Sequence, residues 1–481
     1  MNPELQTKLF IGNDFVDAES GSTFPVENPA DATLLAEVAE AKEADIDRAV
    51  QAARQAFGSS DWQRISPRDR GGLLYRFADL VEQHADELAR IQSLENGKTY
   101  FESRKVDLPE VATVLRYYAG WADKLHGETL PVSGPLLTYT RREPLGVVGC
   151  IVPWNFPLSL AAWKIAPALA CGNTVVLKPA EDTPLSALKL AELAGQAGFP
   201  AGAFNVVPGL GSIAGAALVR HVGVDKIAFT GSTEVGKEIM RQAATTLKRV
   251  SLELGGKSPN IVFADADIEA AIRGVTSGIF YGKGEVCAAG SRLFVESSIR
   301  DRVVEQVAER AKKLTPGDPF DKGTRLGAIA SKRQMERVLG YIESGRREGA
   351  KLLTGGLRVD RPGYYVEATV FDQVTPEMTI AREEIFGPVI AAIDFADEDQ
   401  AVALANQTIY GLAAGIWTRD VKKAHRVASA LQAGTVWVNT YNRYDPAAPF
   451  GGYKQSGFGR DLGAHALEEY TQVKTVWIDL S

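Results

Sequence analysis

The first 30 or so residues alternate short apolar and turn segments, and "EADIDRAVQAARQAF" then places apolar residues at the spacing of one helix face. The same 3.6-residue period continues through "GGLLYRFADLVEQHADELARIQSLENGK". From Gly146 the character changes. Short apolar runs, "GVVGCIVPW", "NTVVLKP", "FNVVPG", "DKIAFTG" and "RVSLELGG", are separated by the helical patterns "LSLAAWKIAPALA", "PLSALKLAELAGQAG", "AGAALVR" and "TEVGKEIMRQAA". Runs without polar alternation suit strands covered on both faces, and helices between them supply the crossovers, so this stretch predicts a doubly wound parallel sheet.

A second α/β series starts at "PNIVFAD" and continues through "SRLFVES", "RDRVVEQVAERAKKL", "KLLTGG", "AAIDFAD" and "GTVWVNT". It predicts a second α/β domain. Between the helical N-terminal region and the first sheet, "GETLPVSGPLLTYTRREPLG" reads as a hairpin with Pro and Gly turn signals, with a later counterpart in the C-terminal strand "TQVKTVWIDL". No internal repeat at a fixed period is found.

A chain of 481 residues exceeds what one core usually organises, which sets an expectation of about two to four domains. Hydrophobic residues make up 45% and charged residues 23%, an ordinary globular balance. A net charge of -7 argues against a nucleic-acid groove or an anionic membrane as main partner, because either needs a concentrated basic face. Three cysteines, Cys150, Cys171 and Cys287, do not make a disulfide framework. With no apolar N-terminal leader and no apolar run of roughly 18 residues, a soluble cytoplasmic protein is expected.

Two glycine loops compete for a dinucleotide. "GLGSIA" at 209–214 matches G-x-G-x-x-A after "FNVV", and "GSTEVG" at 231–236 follows "DKIAF" and opens a helix. Either could present backbone N–H groups to a pyrophosphate, and tight-turn glycines explain most such matches. "VLKPAED" puts Lys178 and Glu181 at the carboxyl end of a strand, where open parallel sheets bind ligands. A carboxylate there can accept from both ribose hydroxyls and repels a 2′-phosphate, which favours NAD over NADP; a surface ion pair is the plain alternative.

Cys287 follows the polar, glycine-broken "GKGEV" and precedes Ala288, Ala289 and Gly290, a setting neither other cysteine shares. Free cysteines are often buried fillers, but this frame suits a nucleophile. The histidines are scattered, so neither a Cys-His protease nor a zinc site has sequence support, and no metal is expected. "PWNFP" sets Asn155 at a strand's ligand edge, and "SLELGGKSPN" sets Glu253 before paired glycines. Taken singly, turn formers and a surface carboxylate would explain both.

Together, "VPWNFP", "VLKPAE", "FTGSTEVG", "LELGGKSPN", "GEVCAAGSR", "EEIFGPV" and "PFGGYKQSGFGR" fall in the order and spacing of the aldehyde dehydrogenase superfamily, which the chain resembles over nearly its whole length. It looks most like the non-phosphorylating, NAD-linked branch of general, retinal-type and betaine-type enzymes. The resemblance implies that Cys287 is the nucleophile, Asn155 an oxyanion donor and Glu253 the general base. It implies a cofactor site of Trp154, Lys178, Glu181, Gly211, Ser232, Leu254, Glu384 and Phe386, with the pyrophosphate at Ser232 and the 231–236 helix start and "GLGSIA" on the adenine side. A substrate tunnel of Phe156, Trp163, Val286, Ala288, Tyr441 and Tyr444 is implied as well.

The same resemblance implies NAD-dependent oxidation of an aldehyde to a carboxylic acid through a cysteine thiohemiacetal and a hydrolysed thioester. A semialdehyde or betaine aldehyde specialist, and a non-catalytic protein on the same fold, are the rivals. Arg443 could meet an anionic tail, whereas Glu285 and the aromatic residues could favour a cationic one. A cofactor domain over 1–125 and 145–255, a catalytic domain over 256–455 and bridging segments over 126–144 and 456–481 are expected, in a homodimer or homotetramer.

One departure stands out. Where the family carries Asn and Gln before the nucleophile, this chain has Gly282 and Glu285. If Glu285 faces the thiol, it makes Cys287 less acidic; if it points away, it pairs with Lys283.

Overall fold

The computed structural model describes residues 4–481. Its first sheet has eight strands, in the spatial order Gly457–Phe458, Arg249–Glu253, Lys226–Thr230, Val147–Ile151, Thr174–Lys178, Phe204–Val206, Leu9–Ile11 and Asp14–Val16. The five strands from Arg249–Glu253 to Phe204–Val206 run parallel. Four of these five are buried along their whole length, as their unbroken apolar runs predict. The helices Pro157–Ala170, Leu185–Ala197 and Thr233–Ala243 form where the 3.6 period predicted them.

The strand order places the site. From Val147–Ile151 the chain adds strands outward in one direction, then returns to lay Lys226–Thr230 on the other side of the starting strand. At such a reversal the loops leaving two neighbouring strands diverge and open a crevice beyond their carboxyl ends. The two loops here are "VPWN" after Ile151 and "GS" after Thr230.

The second sheet has seven strands, in the order Lys351–Thr354, Thr369–Asp372, Val389–Phe395, Arg292–Glu296, Pro259–Val262, Ala413–Trp417 and Thr435–Val438. All pairings are parallel except that of Lys351–Thr354. Strands Thr369–Asp372 and Ala413–Trp417 extend the series read from the sequence. Cys287 lies in the crossover between Pro259–Val262 and Arg292–Glu296, after helix Ile268–Phe280.

A smaller sheet pairs Thr471–Asp479 with Leu136–Pro144 over nine residues, and Thr129–Leu130 closes its other side. Residues 456–470 behave differently from the tail with which the sequence groups them. Gly457–Phe458 pairs with Leu252 and Glu253 at the edge of the first sheet, and the tail leaves the body only at Thr471.

Candidate active site

A groove runs along the carboxyl ends of the first sheet. Its outer part, about 860 Å³, is lined by Lys178, Glu181, Gly211, Ser232 and Trp154. The Lys178 ammonium is buried, donates to the Gly209 carbonyl at 2.9 Å and lies 3.6 Å from the Glu181 carboxylate. Burial pulls its pKa down and Glu181 pushes back. Ser232 is the N-cap of helix Thr233–Ala243 and accepts from the Val235 N–H at 3.3 Å, so the positive end of this helix faces the groove. Gly231 has no room for a β-carbon, which would collide with the Phe229 ring. Both glycine loops thus reach the same groove, although Gly211 opens a π-helical turn rather than an α-helix.

The groove continues inward as a space of about 410 Å³ past Trp154, Asn155, Leu254, Glu384 and Phe386 to Cys287. Glu384 accepts the Gly256 N–H at 2.9 Å, and Phe386, in a left-handed conformation with φ 59°, sets its ring edge-on to Trp154 at 5.3 Å. From the other side a separate cavity of about 560 Å³ descends between Phe156, Trp163, Val286, Tyr441 and Tyr444 to the same cysteine. Cys287 is the one described residue that lines both this cavity and the inner groove. A ligand in either space can touch the sulfur.

Residues 15–476 match the aldehyde dehydrogenase family. Retinal dehydrogenase 2 of Homo sapiens is 53% identical over 476 residues, covering 98% of this chain and 92% of that protein. An aldehyde dehydrogenase of Bacillus cereus solved with NAD+ superposes with a TM-score of 0.98 at 50% identity over the whole of both chains. A variant of the P. syringae indole-3-acetaldehyde dehydrogenase, solved with NAD+ and IAA, gives 0.98 at 48% identity, covering 100% of this chain and 98% of that one.

The chain belongs to the aldehyde dehydrogenase family. It is an enzyme that oxidises an aldehyde with NAD. The groove suits that cofactor. It offers the Lys178 ammonium and Glu181 carboxylate, a helix N-terminus, and the buried Thr230 hydroxyl, which has no partner of its own.

In this aldehyde dehydrogenase Cys287 is held as a thiol. Burial, followed by the nearby Glu384 and Glu253 carboxylates, pushes the Cys287 pKa up to about 12, while the N–H groups of Ala288 and Cys287 draw it down. Asn155 is buried; its Nδ2 donates to the Glu285 carbonyl at 2.9 Å, leaving a second N–H, and its Oδ1 has no partner. Glu253 is buried with neither oxygen paired. Burial and then Asp461 raise its pKa well above the carboxylate range, against Lys164 and Arg460. Glu384 rises to about 7, by burial more than its Gly256 bond and Lys257 lower it.

Two expectations are resolved here. Glu285 points away from the thiol: its carboxylate lies 2.8 Å from the buried Lys283 ammonium and accepts the Ala330 N–H at 3.0 Å. It therefore contributes nothing to the tunnel's charge. Ala288 is not a tunnel residue either; the turn after Cys287 directs its methyl into the core, and its carbonyl accepts the Tyr441 hydroxyl at 2.9 Å.

Sequence reasoning missed Glu110, Tyr281 and Phe450 in the cavity, and Gln334 and Arg337 in the groove. Gln334 is the more informative. Its Nε2 donates to the Phe386 carbonyl at 2.7 Å, and its position three residues from Arg337 on helix Lys332–Arg347 is the one signal the sequence held.

Proposed function

We propose that Cys287 captures the aldehyde carbon and that the product leaves as a carboxylic acid by hydrolysis. The observation that carries this reading is the position of the sulfur between two separate spaces, one walled largely by aromatic rings and one leading to the Lys178–Glu181 pair and the Ser232 helix start. Glu253 in its ionised form takes the Cys287 proton and passes it on to solvent; as the S–C bond forms, the carbonyl oxygen becomes an alkoxide. The free Asn155 N–H and the Cys287 N–H are the donors for that oxygen. Bound NAD supplies the acceptor for the hydride that the resulting thiohemiacetal releases, which leaves a thioester on Cys287.

Glu253 is the base for the second stage. Desolvation makes its ionised form a stronger base than an exposed carboxylate, and neither oxygen is committed to a protein donor. Water adds to the thioester, its proton passes to Glu253, and the S–C bond breaks. Lys178, Glu181 and Gly211 hold the adenosine end of the cofactor in this reading, Ser232 the pyrophosphate, and Trp154, Leu254, Glu384 and Phe386 the nicotinamide end.

The first sheet and the helices that pack on it form the cofactor-binding part, and the second sheet the part that carries the nucleophile. Thr471–Asp479 is an edge strand among the described residues, with Val473 60% and Trp477 59% exposed. Such an edge invites pairing with a second copy, so we assign the enzyme to a homodimer or homotetramer built through it. All three thiols are free and no described helix is long and apolar enough to cross a membrane, which favours a reducing, cytoplasmic setting.

The test is NADH formation from acetaldehyde and benzaldehyde, with the product identified, in the presence and absence of coenzyme A. The expected result is one carboxylic acid per NADH in both conditions and no NADH with Cys287→Ala. Acyl-CoA as product, or turnover without the sulfur, would overturn the proposal.

A further inference from the structure

The cavity wall carries an acidic group that aldehyde oxidation itself does not use. Glu110, on helix Leu108–Ala119, lines the same cavity as Cys287. The Ser159 hydroxyl donates to its Oε2 at 3.1 Å and the Trp163 indole N–H to its Oε1 at 3.0 Å, which fixes the plane of the carboxyl group. These bonds occupy about two of the roughly four acceptor positions of a carboxylate. The remainder stand in a half-buried wall with the rings of Phe156, Trp163, Tyr281, Tyr444 and Phe450 among the other lining groups.

Glu110 is half-buried; burial and then the Asp107 charge raise its pKa to about 7, so a donor that reaches its free acceptor positions favours the ionised form. The chain itself commits its nearest buried cation elsewhere. Lys98 pairs with Asp107 at 2.7 Å and lies 3.4 Å over the Phe156 ring. Arg273 and Arg443 also line the cavity, but both are exposed and carry no bond to Glu110. Among the described residues no further donor fills Glu110, so its remaining acceptor positions are open to water or to a group on a molecule in the cavity.

We propose that Glu110 is a specificity-determining residue that recognises a hydrogen-bond donor, a hydroxyl or an ammonium, on the tail of the aldehyde. This rests on the reading of the cavity as the substrate tunnel. Either donor would complete the carboxylate's bonding, and the aromatic faces would add attraction for an ammonium. Arg443 and Arg273 oppose this with an attraction for anionic tails, weakened by their exposure to solvent.

The experiment compares kcat/KM for ω-hydroxy and ω-amino aldehydes of three to six carbons with unsubstituted aldehydes of equal heavy-atom count and with an ω-carboxylate aldehyde. The wild type, Glu110→Gln and Glu110→Leu are each measured. The readout is the ratio of donor-bearing to unsubstituted substrate within one variant, which cancels any general loss of active enzyme. The wild type should favour at least one donor-bearing tail by about tenfold to a hundredfold, the worth of one charge-assisted hydrogen bond. Leu should bring the ratio to about one, while Gln, which keeps an acceptor, should retain more preference for hydroxyl than for ammonium.

A ratio near one in the wild type, a preference that survives Leu, or a greater preference for the carboxylate tail would each overturn the proposal. Unsubstituted aldehydes that yield no NADH with the wild type would instead sink the reading of the site itself.

Discussion

At the scale of single residues, the site depends on groups that ionise less readily than they would in water. Cys287 is pushed up to about 12, and Glu253 is raised above the carboxylate range, so the resting site is close to neutral where the chemistry calls for a thiolate and a base. Stabilising the developing oxyanion is then a large part of the work. Asn155→Ala should lower kcat by about 100- to 1,000-fold with little effect on the KM for NAD, read from steady-state kinetics. Glu384 gives a separate handle. Below about 7 it carries a proton and has less acceptor capacity for the cofactor hydroxyls proposed to lie there; above that it is ionised and accepts fully. The KM for NAD should fall as pH rises from 6 to 8, and Glu384→Gln should flatten that dependence. A slope unchanged in the variant would remove Glu384 from the cofactor site.

At the scale of elements, the loop before the nucleophile is the least ordinary piece of backbone. Gly282, Lys283 and Gly284 take consecutive left-handed conformations, with φ of 56°, 64° and 71°. Lysine resists that conformation by roughly 1 kcal/mol or more. Its buried ammonium holds it there, donating to the Asn96 carbonyl at 2.7 Å while contacting Glu285. Asn96 in turn donates to the Trp154 carbonyl at 2.7 Å, and Asn155 donates to the Glu285 carbonyl, so the ion pair ties the nucleophile's loop to the oxyanion loop. Lys283→Gln or Glu285→Gln alone strands a buried charge and should cost about 3–5 kcal/mol in denaturant unfolding. The double change removes both charges and should recover most of the stability and kcat. Two additive losses would dissolve the coupling.

What was legible in the sequence follows from the same physics. Strands buried on both faces must be apolar throughout, so "NTVVLKP" and "DKIAFTG" announce themselves. "AAGIW" does not, because its alanines and glycine leave room for close packing: Gly415 lies against the Tyr441 ring. At the site, Cys287 is legible because a nucleophile needs a sharp approach and small neighbours. Glu110 is not. A carboxylate on an amphipathic helix reads as solvent-facing until the partner helix brings Ser159 and Trp163 to it. Ala288 misleads in the opposite way, since adjacency to the nucleophile does not fix which side of a turn a methyl takes.

At the scale of the whole molecule, the antiparallel ribbon of Leu136–Pro144 and Thr471–Asp479 forms a sheet separate from both large ones and exposes Leu137, Val473, Trp477 and Ile478. Apolar side chains on an open strand edge are an aggregation hazard unless another copy covers them. Val473→Lys with Trp477→Lys should shift the sedimentation coefficient toward the monomer. A monomeric wild type would withdraw the ribbon from assembly.

The sulfur shared by two otherwise separate spaces has a consequence for traffic. With the roles proposed above, acid and spent coenzyme would depart by opposite doors, and neither would have to wait for the other to clear a common corridor. A molecule meant to plug both rooms at once must be threaded past that one atom.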